Sequence, residues 1–297
     1  MVYSMEVSQT TRTFTMPVSI SHRSSLLGRL ALYFLHRPVN RWRQSRLPDE
    51  DVVLDTCGVK MKVFSPRHNR IGRALFESRI WEPEVTGAFR ALIQPGDTIF
   101  DIGGDAGYYT LLFAKAVGAS GTIIVFEPIP KAQERILENV RLNGFQNVSL
   151  IDMALGSQPG SFVLEKPFED SRINLNKTIP ESGDILVTVE RFDTLAGERS
   201  LPRADLIKID VEGAELEVLR GMESYVSTHH PAFVIELHPS LLPQFGATVD
   251  EVLNWLRQRG YHLTALDAGE IGSSEATTIL ARAPGPTRPI NTQDLRQ

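Results

Sequence analysis

Residues 98–110, Thr-Ile-Phe-Asp-Ile-Gly-Gly-Asp-Ala-Gly-Tyr-Tyr-Thr, read as a buried strand that runs into a glycine turn and then a helix. The apolar run carries one acid, Asp101, and Gly103, Gly104 and Gly107 let the backbone bend closely around a ligand. Two nucleoside cofactors use such a turn, and they differ in charge. A dinucleotide presents a pyrophosphate, which wants bare amides, and its G-x-G-x-x-G fingerprint sets glycines at a helix N-terminus. S-adenosylmethionine presents a sulfonium and an ammonium beside one carboxylate, and an ammonium wants acids. Here the pattern is D-x-G-x-x-x-G, with Asp105 where the second glycine of the fingerprint would stand. Asp101 and Asp105 flank the turn, so a pyrophosphate meets repulsion and an aminium group meets attraction. The turn favours S-adenosylmethionine; the plain alternative is a glycine-rich turn whose Asp105 caps the helix.

Downstream segments supply matching chemistry. A second strand ends in Phe126-Glu127-Pro128, and an acid at that end can accept hydrogen bonds from both hydroxyls of a ribose. Glu127 is the candidate ribose ligand, against the reading of an exposed glutamate before a proline turn. Adenine would lie near residues 150–154, where Asp152 either accepts an exocyclic amine proton or is a simple loop acid. Residues 205–215, Asp-Leu-Ile-Lys-Ile-Asp-Val-Glu-Gly-Ala-Glu, put unusual charge in and after a strand that should be buried. Buried charge is costly without a partner or a role. With two-residue periodicity Lys208 and Asp210 share a face, and ligands of open α/β sheets sit at the carboxyl ends of the strands. Lys208, Asp210 and Glu212 are therefore candidate catalytic residues, the competing reading being a Lys208–Asp210 ion pair with Glu212 capping the next helix. Glu236-Leu237-His238 ends a further strand at the same edge, and His238 is either a base or a residue that stabilises the turn before Pro239.

Such a cofactor implies displacement at the sulfonium methyl by an acceptor nucleophile, in which the protein aligns the partners and removes the acceptor proton. A protonated nucleophile is weak at neutral pH, so His238, Asp210 or Glu212 must reach it; His238 is taken first. A rival arrangement has Asp210 and Glu212 holding a divalent cation, for which oxygen ligands suit magnesium. The reading adopted assigns no metal. Two other classes compete. One is a silent binding module that keeps the cofactor fold, against which the converging acids Glu127, Asp210 and Glu212 speak. The other is a nicotinamide-dependent dehydrogenase, against which Asp105 speaks.

The elements that must position these groups follow from the hydrophobic rhythm. Residues 1 to about 22 are Ser/Thr-rich and lack periodicity, so residues 1–46 read as a flexible leader followed by a basic amphipathic helix. Its Leu26, Leu30, Tyr33 and Phe34 recur at helical spacing among Arg29, Arg41, Arg43 and Arg46, which suits packing on the main domain or on a copy of the chain, or docking on a membrane surface or acidic partner. Residues 47–94 form a cover containing a hairpin turned at Cys57-Gly58. From Pro95 the order is strand 97–102, helix 107–117, strand 122–126, helix 130–142 and strand 148–151, a parallel, doubly wound α/β pattern. Strands 206–209 and 232–237 and helices 214–225 and 249–259 follow. An insertion over 161–189 adds a hairpin near the site, residues 261–266 and 276–281 close the sheet as an antiparallel pair, and 284–297 read as a tail.

Composition narrows the partners. A chain of 297 residues with 42% hydrophobic content fits one large α/β domain of 95–283 with an N-terminal extension. With 31 basic against 36 acidic residues, net −5, no general nucleic-acid partner is expected. The single cysteine, Cys57, allows no internal disulfide and no cysteine metal cage. No apolar stretch reaches the ~20 residues of a membrane span, and no signal-peptide pattern is present, so a cytoplasmic protein is expected, with peripheral membrane contact open to the basic helix.

These segments in order resemble the FkbM family of S-adenosylmethionine-dependent methyltransferases over residues 58–265. The carriers are Trp81-Glu82-Pro83, Pro95-Gly96-Asp97, Asp101-Ile-Gly-Gly-Asp-Ala-Gly107 with Thr110, and Phe126-Glu127-Pro128. They continue with Asn139 and Asn143, Ala154-Leu155-Gly156, Phe192-Asp-Thr-Leu195, Ile207-Lys-Ile-Asp-Val-Glu-Gly-Ala-Glu215 and Glu236-Leu-His238. The resemblance implies a Rossmann-like, seven-stranded class I methyltransferase sheet with helices on both faces. It also implies methylation of a hydroxyl on a sugar, polyketide or lipid-like acceptor. By its motifs Asp101, Gly103, Gly104, Asp105, Gly107, Thr110, Glu127, Pro128 and Asp210 would hold the cofactor, and Asp152 joins them by its position near the end of the third strand. Gly104-Asp105 departs from the family's common Ala-Asn and adds a carboxylate beside the cofactor's amino-acid end.

Overall fold

The computed structural model describes residues 46–165, 172–174, 181–267 and 276–283. The basic helix expected up to residue 46, the leader and the C-terminal tail lie outside the described residues, apart from Arg46 itself. Residues 48–297 form the larger of two compact units, and it holds every element below. Among the described residues no helix is long and apolar enough to cross a membrane.

The unit opens with an antiparallel hairpin, β1 (Val52–Thr56) and β2 (Val59–Val63). Cys57 and Gly58 turn it with φ of 50° and 77°, the positive pair that a tight two-residue hairpin needs. Helices α1 (Arg70–Ser78) and α2 (Pro83–Leu92) complete the cover. Strand β3 (Thr98–Ile102) then leads through the glycine turn into α3 (Tyr108–Val117), and β4 (Thr122–Phe126) into α4 (Pro130–Leu142). After β5 (Val148–Ile151) come β6 (Ala154–Leu155), β7 (Gly160–Glu165), β8 (Arg172–Asn174) and β9 (Ile185–Glu190). Helix α5 (Phe192–Glu198), β10 (Leu206–Ile209), α6 (Glu215–Gly221), α7 (Glu223–His229) and β11 (Ala232–Leu237) follow. A 3₁₀ turn at Leu242–Phe245, α8 (Val249–Gln258), β12 (His262–Ala265) and β13 (Thr277–Arg282) close the fold.

Seven strands form the main sheet in the order β12-β13-β11-β10-β3-β4-β5. Strands β11, β10, β3, β4 and β5 run parallel, and β13 is antiparallel to both neighbours. This is the expected doubly wound α/β sheet with its antiparallel closure, β13 being inserted between β11 and β12. Strand parity divides the core. Phe100, Ile102, Ile124, Phe126, Ile207, Ile209, Phe233 and Ile235 pack on one face with α5 to α8. Ile99, Ile123, Val125, Leu206 and Val234 pack on the other with the hairpin and α1 to α4. Asp101 and Lys208 have the parity of this second face.

Three local findings refine the expectations. The helix expected over 214–225 is two helices, broken between Gly221 and Met222. A Cβ at Gly221 would stand 2.1 Å from the Gly156 carbonyl oxygen, so the crossing chain leaves room for nothing larger. The 161–189 insertion contributes to a separate sheet of order β6-β9-β7-β8. The free edge of β2 is paired by side chains of α4. Asn139 accepts from the Lys62 amide (2.7 Å) and donates to its carbonyl (3.1 Å), and Asn143 does the same with Lys60 (2.9 and 2.7 Å). Two asparagines thus cover a strand edge that would otherwise be open.

Candidate active site

The glycine turn and the start of the loop after β10 meet backbone to backbone. Gly103 has φ of 84°, and a Cβ on it would lie 1.8 Å from the Asp210 carbonyl oxygen. Only glycine satisfies both conditions. At Gly104 an added Cβ would stand 2.5 Å from Val125 Cγ1 and 2.9 Å from Ile136 Cδ1. Those side chains fill the room that the family's common alanine would occupy. Asp105 adopts φ of 46° and Glu212 φ of 53°, so two non-glycine residues flanking the site sit in the left-handed region, a strain typical of functional turns.

Asp101 is fully buried and accepts a hydrogen bond from Thr110 Oγ1 at 2.6 Å; Thr110 is fully buried as well. Register sets Asp101 directly opposite Lys208 on the adjacent parallel strand. Lys208 Nζ lies 3.2 Å from Asp101 Oδ1 and 3.5 Å from Asp210 Oδ2, and donates to the Gly103 carbonyl at 2.8 Å. Its Nζ also stands 5.6 Å from the centre of the Tyr109 ring. Burial alone would pull the ammonium pKa down, but the Asp101 and Asp210 carboxylates outweigh it and hold the group charged. Lys208 is committed on every side and fastens the turn to β10.

On the far side of the turn, Glu127 is 4% exposed. Its Oε2 accepts from the Asp105 amide and its Oε1 from the Ile129 amide, each at 2.9 Å. Burial pushes its carboxyl up to about 7 against the opposing pull of those two N–H groups. Pro128 follows it, and Asp152 stands exposed just past β5.

Towards β11 the strand ends form a second cluster. His238 is 9% exposed, and its Nδ1 lies 2.8 Å from Oε1 of the fully buried Glu215, which also accepts from the Gly213 amide at 2.9 Å. Its Nε2 faces Glu236 Oε1 and Glu212 Oε2, both at 3.6 Å, and Asp210 Oδ1 at 3.9 Å. Burial would lower the imidazole, but the Glu215 hydrogen bond and the Asp210 and Glu212 charges raise it to about 9. His238 is therefore a cation at neutral pH. Glu236 is pushed up to about 8 by burial and by the Asp210 and Glu82 charges. Glu82 is raised by burial and by Asp210, against the Tyr109 hydroxyl, which donates to it at 2.7 Å. Burial is the main reason these carboxyls hold protons more tightly than usual, and the neighbouring carboxylates add to it.

A cleft of about 360 Å³ opens over this cluster. Glu82, Glu84, Glu212, Glu236 and Asp267 line it, against Arg70 and His238 as basic groups. The residues expected at the site thus fall into two linked groups. Gly103, Gly104, Asp105, Gly107, Glu127 and Pro128 surround the turn, while Glu212 and His238 line the cleft and Asp210 stands 3.9 Å from His238 Nε2. Asp101, Thr110 and Lys208 form the buried pillar between them, and Asp152 stands apart on the exposed side. Sequence reasoning did not select Glu82, Tyr109, Glu215 or Glu236. For Glu236 a signal existed, since residues 236 and 238 of one strand share a face.

The Methyltransferase FkbM domain matches residues 101–263. Among curated relatives, "Methyltransferase 1" of Beauveria bassiana is 31% identical over 150 residues, 43% of this chain and 60% of that protein. "Hexuronic acid methyltransferase AglP" of Haloferax volcanii is 28% identical over 154 residues, 51% of this chain and 60% of that protein. "31-O-demethyl-FK506 methyltransferase FkbM" of Streptomyces tacrolimicus is 25% identical over 219 residues, 64% and 82% respectively. The chain thus spans three fifths of the length of the first two.

Proposed function

The chain belongs to the FkbM methyltransferase family through its residues 101–263, and from that premise we propose that it transfers the methyl group of S-adenosylmethionine to a hydroxyl of a small sugar, polyketide or lipid-like acceptor. One observation carries the reading: Lys208 touches both the glycine turn, at the Gly103 carbonyl, and Asp210, whose Oδ1 stands 3.9 Å from Nε2 of the cleft residue His238. A methyl donor seated on the turn is thereby set against an acceptor seated in the cleft. In this reading Glu127 takes the ribose hydroxyls, Asp105 takes the ammonium, and Asp152 takes the adenine amine. The acceptor hydroxyl lies among Asp210, Glu212 and His238, and its proton passes to one of the carboxylates, because His238 already carries a proton at neutral pH.

The relatives' names, one specifying a hexuronic acid and one a 31-O-demethyl compound, support an oxygen acceptor. The acid-rich lining of the cleft supports an acceptor without a carboxylate of its own. Calorimetric titration of the purified chain with S-adenosylmethionine, S-adenosylhomocysteine and NAD tests the reading. Saturable binding of the two sulfur nucleosides alone is expected. Binding of NAD alone, or of none of the three, overturns it.

A further inference from the structure

We propose that Asp210, Glu236 and His238 form a divalent-cation site, suited to an ion such as Mn²⁺ or Zn²⁺, that holds and polarises the acceptor hydroxyl. The inference rests on the methyl-transfer reading for the reaction and on its own geometry for the ion. The three side chains each offer one ligand atom, and those atoms all lie within 4.8 Å of one another. His238 Nε2 stands 3.6 Å from Glu236 Oε1 and 3.9 Å from Asp210 Oδ1, too far for hydrogen bonds. Around an ion with bonds of about 2.1 Å, donors stand ~3.0 Å apart at right angles, ~3.4 Å at a tetrahedral angle and ~4.2 Å when opposed. Both separations from the histidine fall in that range.

The histidine supplies an independent observation. It is nine-tenths buried, and its Nδ1 is taken by Glu215 at 2.8 Å. Glu215 is itself fully buried and anchored by the Gly213 amide. Nε2 is thereby directed into the cluster, where carboxylate oxygens of Glu236, Glu212 and Asp210 stand 3.6, 3.6 and 3.9 Å away, each beyond hydrogen-bond distance. A carboxylate that orients a histidine through its other ring nitrogen is the arrangement that supports a metal ligand. Lys208, 3.5 Å from Asp210 Oδ2, steadies the second ligand and leaves Oδ1 facing the histidine. One imidazole and two carboxylates, with further positions open to the cleft, suit borderline divalent ions.

The step balances. Ion entry displaces any proton on Nε2. The acceptor oxygen binds the ion and its proton passes to Glu212, whose side chain is 69% exposed and can release it to solvent. The oxygen lone pair forms the new C–O bond as the C–S bond breaks, and neutral S-adenosylhomocysteine is left.

The test is Mn²⁺ titration of the full chain followed by electron paramagnetic resonance. One ion per chain is expected, with spin-echo modulation from a single imidazole nitrogen. Asp210→Asn and Glu236→Gln should each weaken binding at least about tenfold, and Glu215→Gln by about 10–100-fold. Glu84→Gln, a cleft acid outside the cluster, should leave it unchanged. Absence of saturable binding at millimolar Mn²⁺, absence of nitrogen modulation, or equal binding by wild type and Glu236→Gln overturns the site. If a variant fails to fold, the nitrogen modulation of the wild type decides. Calorimetry with S-adenosylhomocysteine on the same preparation separates the outcomes: cofactor binding without Mn²⁺ binding removes only the metal site, whereas loss of cofactor binding removes the methyl-transfer reading.

Discussion

If Glu127 takes the ribose hydroxyls as proposed, cofactor affinity depends on pH near neutrality. Glu127 is 4% exposed, and burial lifts its carboxyl from 4.5 to about 7. Between those values the folded state binds more protons than the unfolded one, so stability falls as pH rises. Deprotonation over that interval costs the cofactor-free protein about 3 kcal/mol of stability, a loss complete above pH 7. Ribose hydroxyls donate best to the ionised carboxylate, so binding draws on the deprotonated form and releases a proton below pH 7. If only that form binds, the apparent Kd at pH 6 is about tenfold weaker than at pH 8. Calorimetric titration with S-adenosylhomocysteine across that range measures the affinity, and repetition in buffers of different ionisation heat counts the proton released. Glu127→Gln should bind weakly at every pH and lose the dependence centred near 7. An affinity that is flat with pH in the wild type, or the same dependence surviving in Glu127→Gln, refutes the assignment of Glu127 to the ribose.

Three further outcomes follow from the geometry. Lys208→Met strands the fully buried Asp101 and should cost about 3–5 kcal/mol by urea unfolding, most of it recovered in the Asp101→Asn, Lys208→Met double variant. A single-variant loss under about 1 kcal/mol would show that the pair is not the pillar described. Gly103→Ala forces a Cβ to 1.8 Å from a backbone oxygen at positive φ, and a loss of about 3 kcal/mol or more, with cofactor binding abolished, is expected. Retained nucleoside binding would mean that the two loops can separate freely. In an acceptor screen read by S-adenosylhomocysteine release, uncharged or amine-bearing alcohols should exceed their carboxylate-bearing counterparts in kcat/KM, because acids dominate the cleft lining. A preference for the uronate of a matched sugar pair would contradict that reading.

Most of the sheet was legible in the sequence because its information is local. Short, near-continuous apolar runs mark β3, β4 and β10 as buried strands, and Gly103 and Gly107 after β3 adopt a positive φ that favours glycine. The Lys208 contacts show where locality ends. Lys208 and Asp210 share a face, and that pairing is present at 3.5 Å. The closer carboxylate, at 3.2 Å, belongs to Asp101, which meets Lys208 only because β3 and β10 lie side by side in register. Strand adjacency is a tertiary property that spacing along the chain does not encode. The same reason hid Glu215, which reaches His238 from the first turn of α6, and Glu82, which comes from the cover helices and raises Glu236. It also hid the need for glycine at 221, just before the break between α6 and α7, where the Gly156 carbonyl from a distant segment passes too close for a Cβ. Charge that looked like a list of separate candidates, Asp210, Glu212 and His238, is one coupled set. The protonation of its histidine depends on acids contributed by α6 and by the loop after β10. Which group takes the acceptor proton is therefore not encoded in spacing along the chain: basicity here belongs to the cluster, and the cluster exists only after the strands are paired.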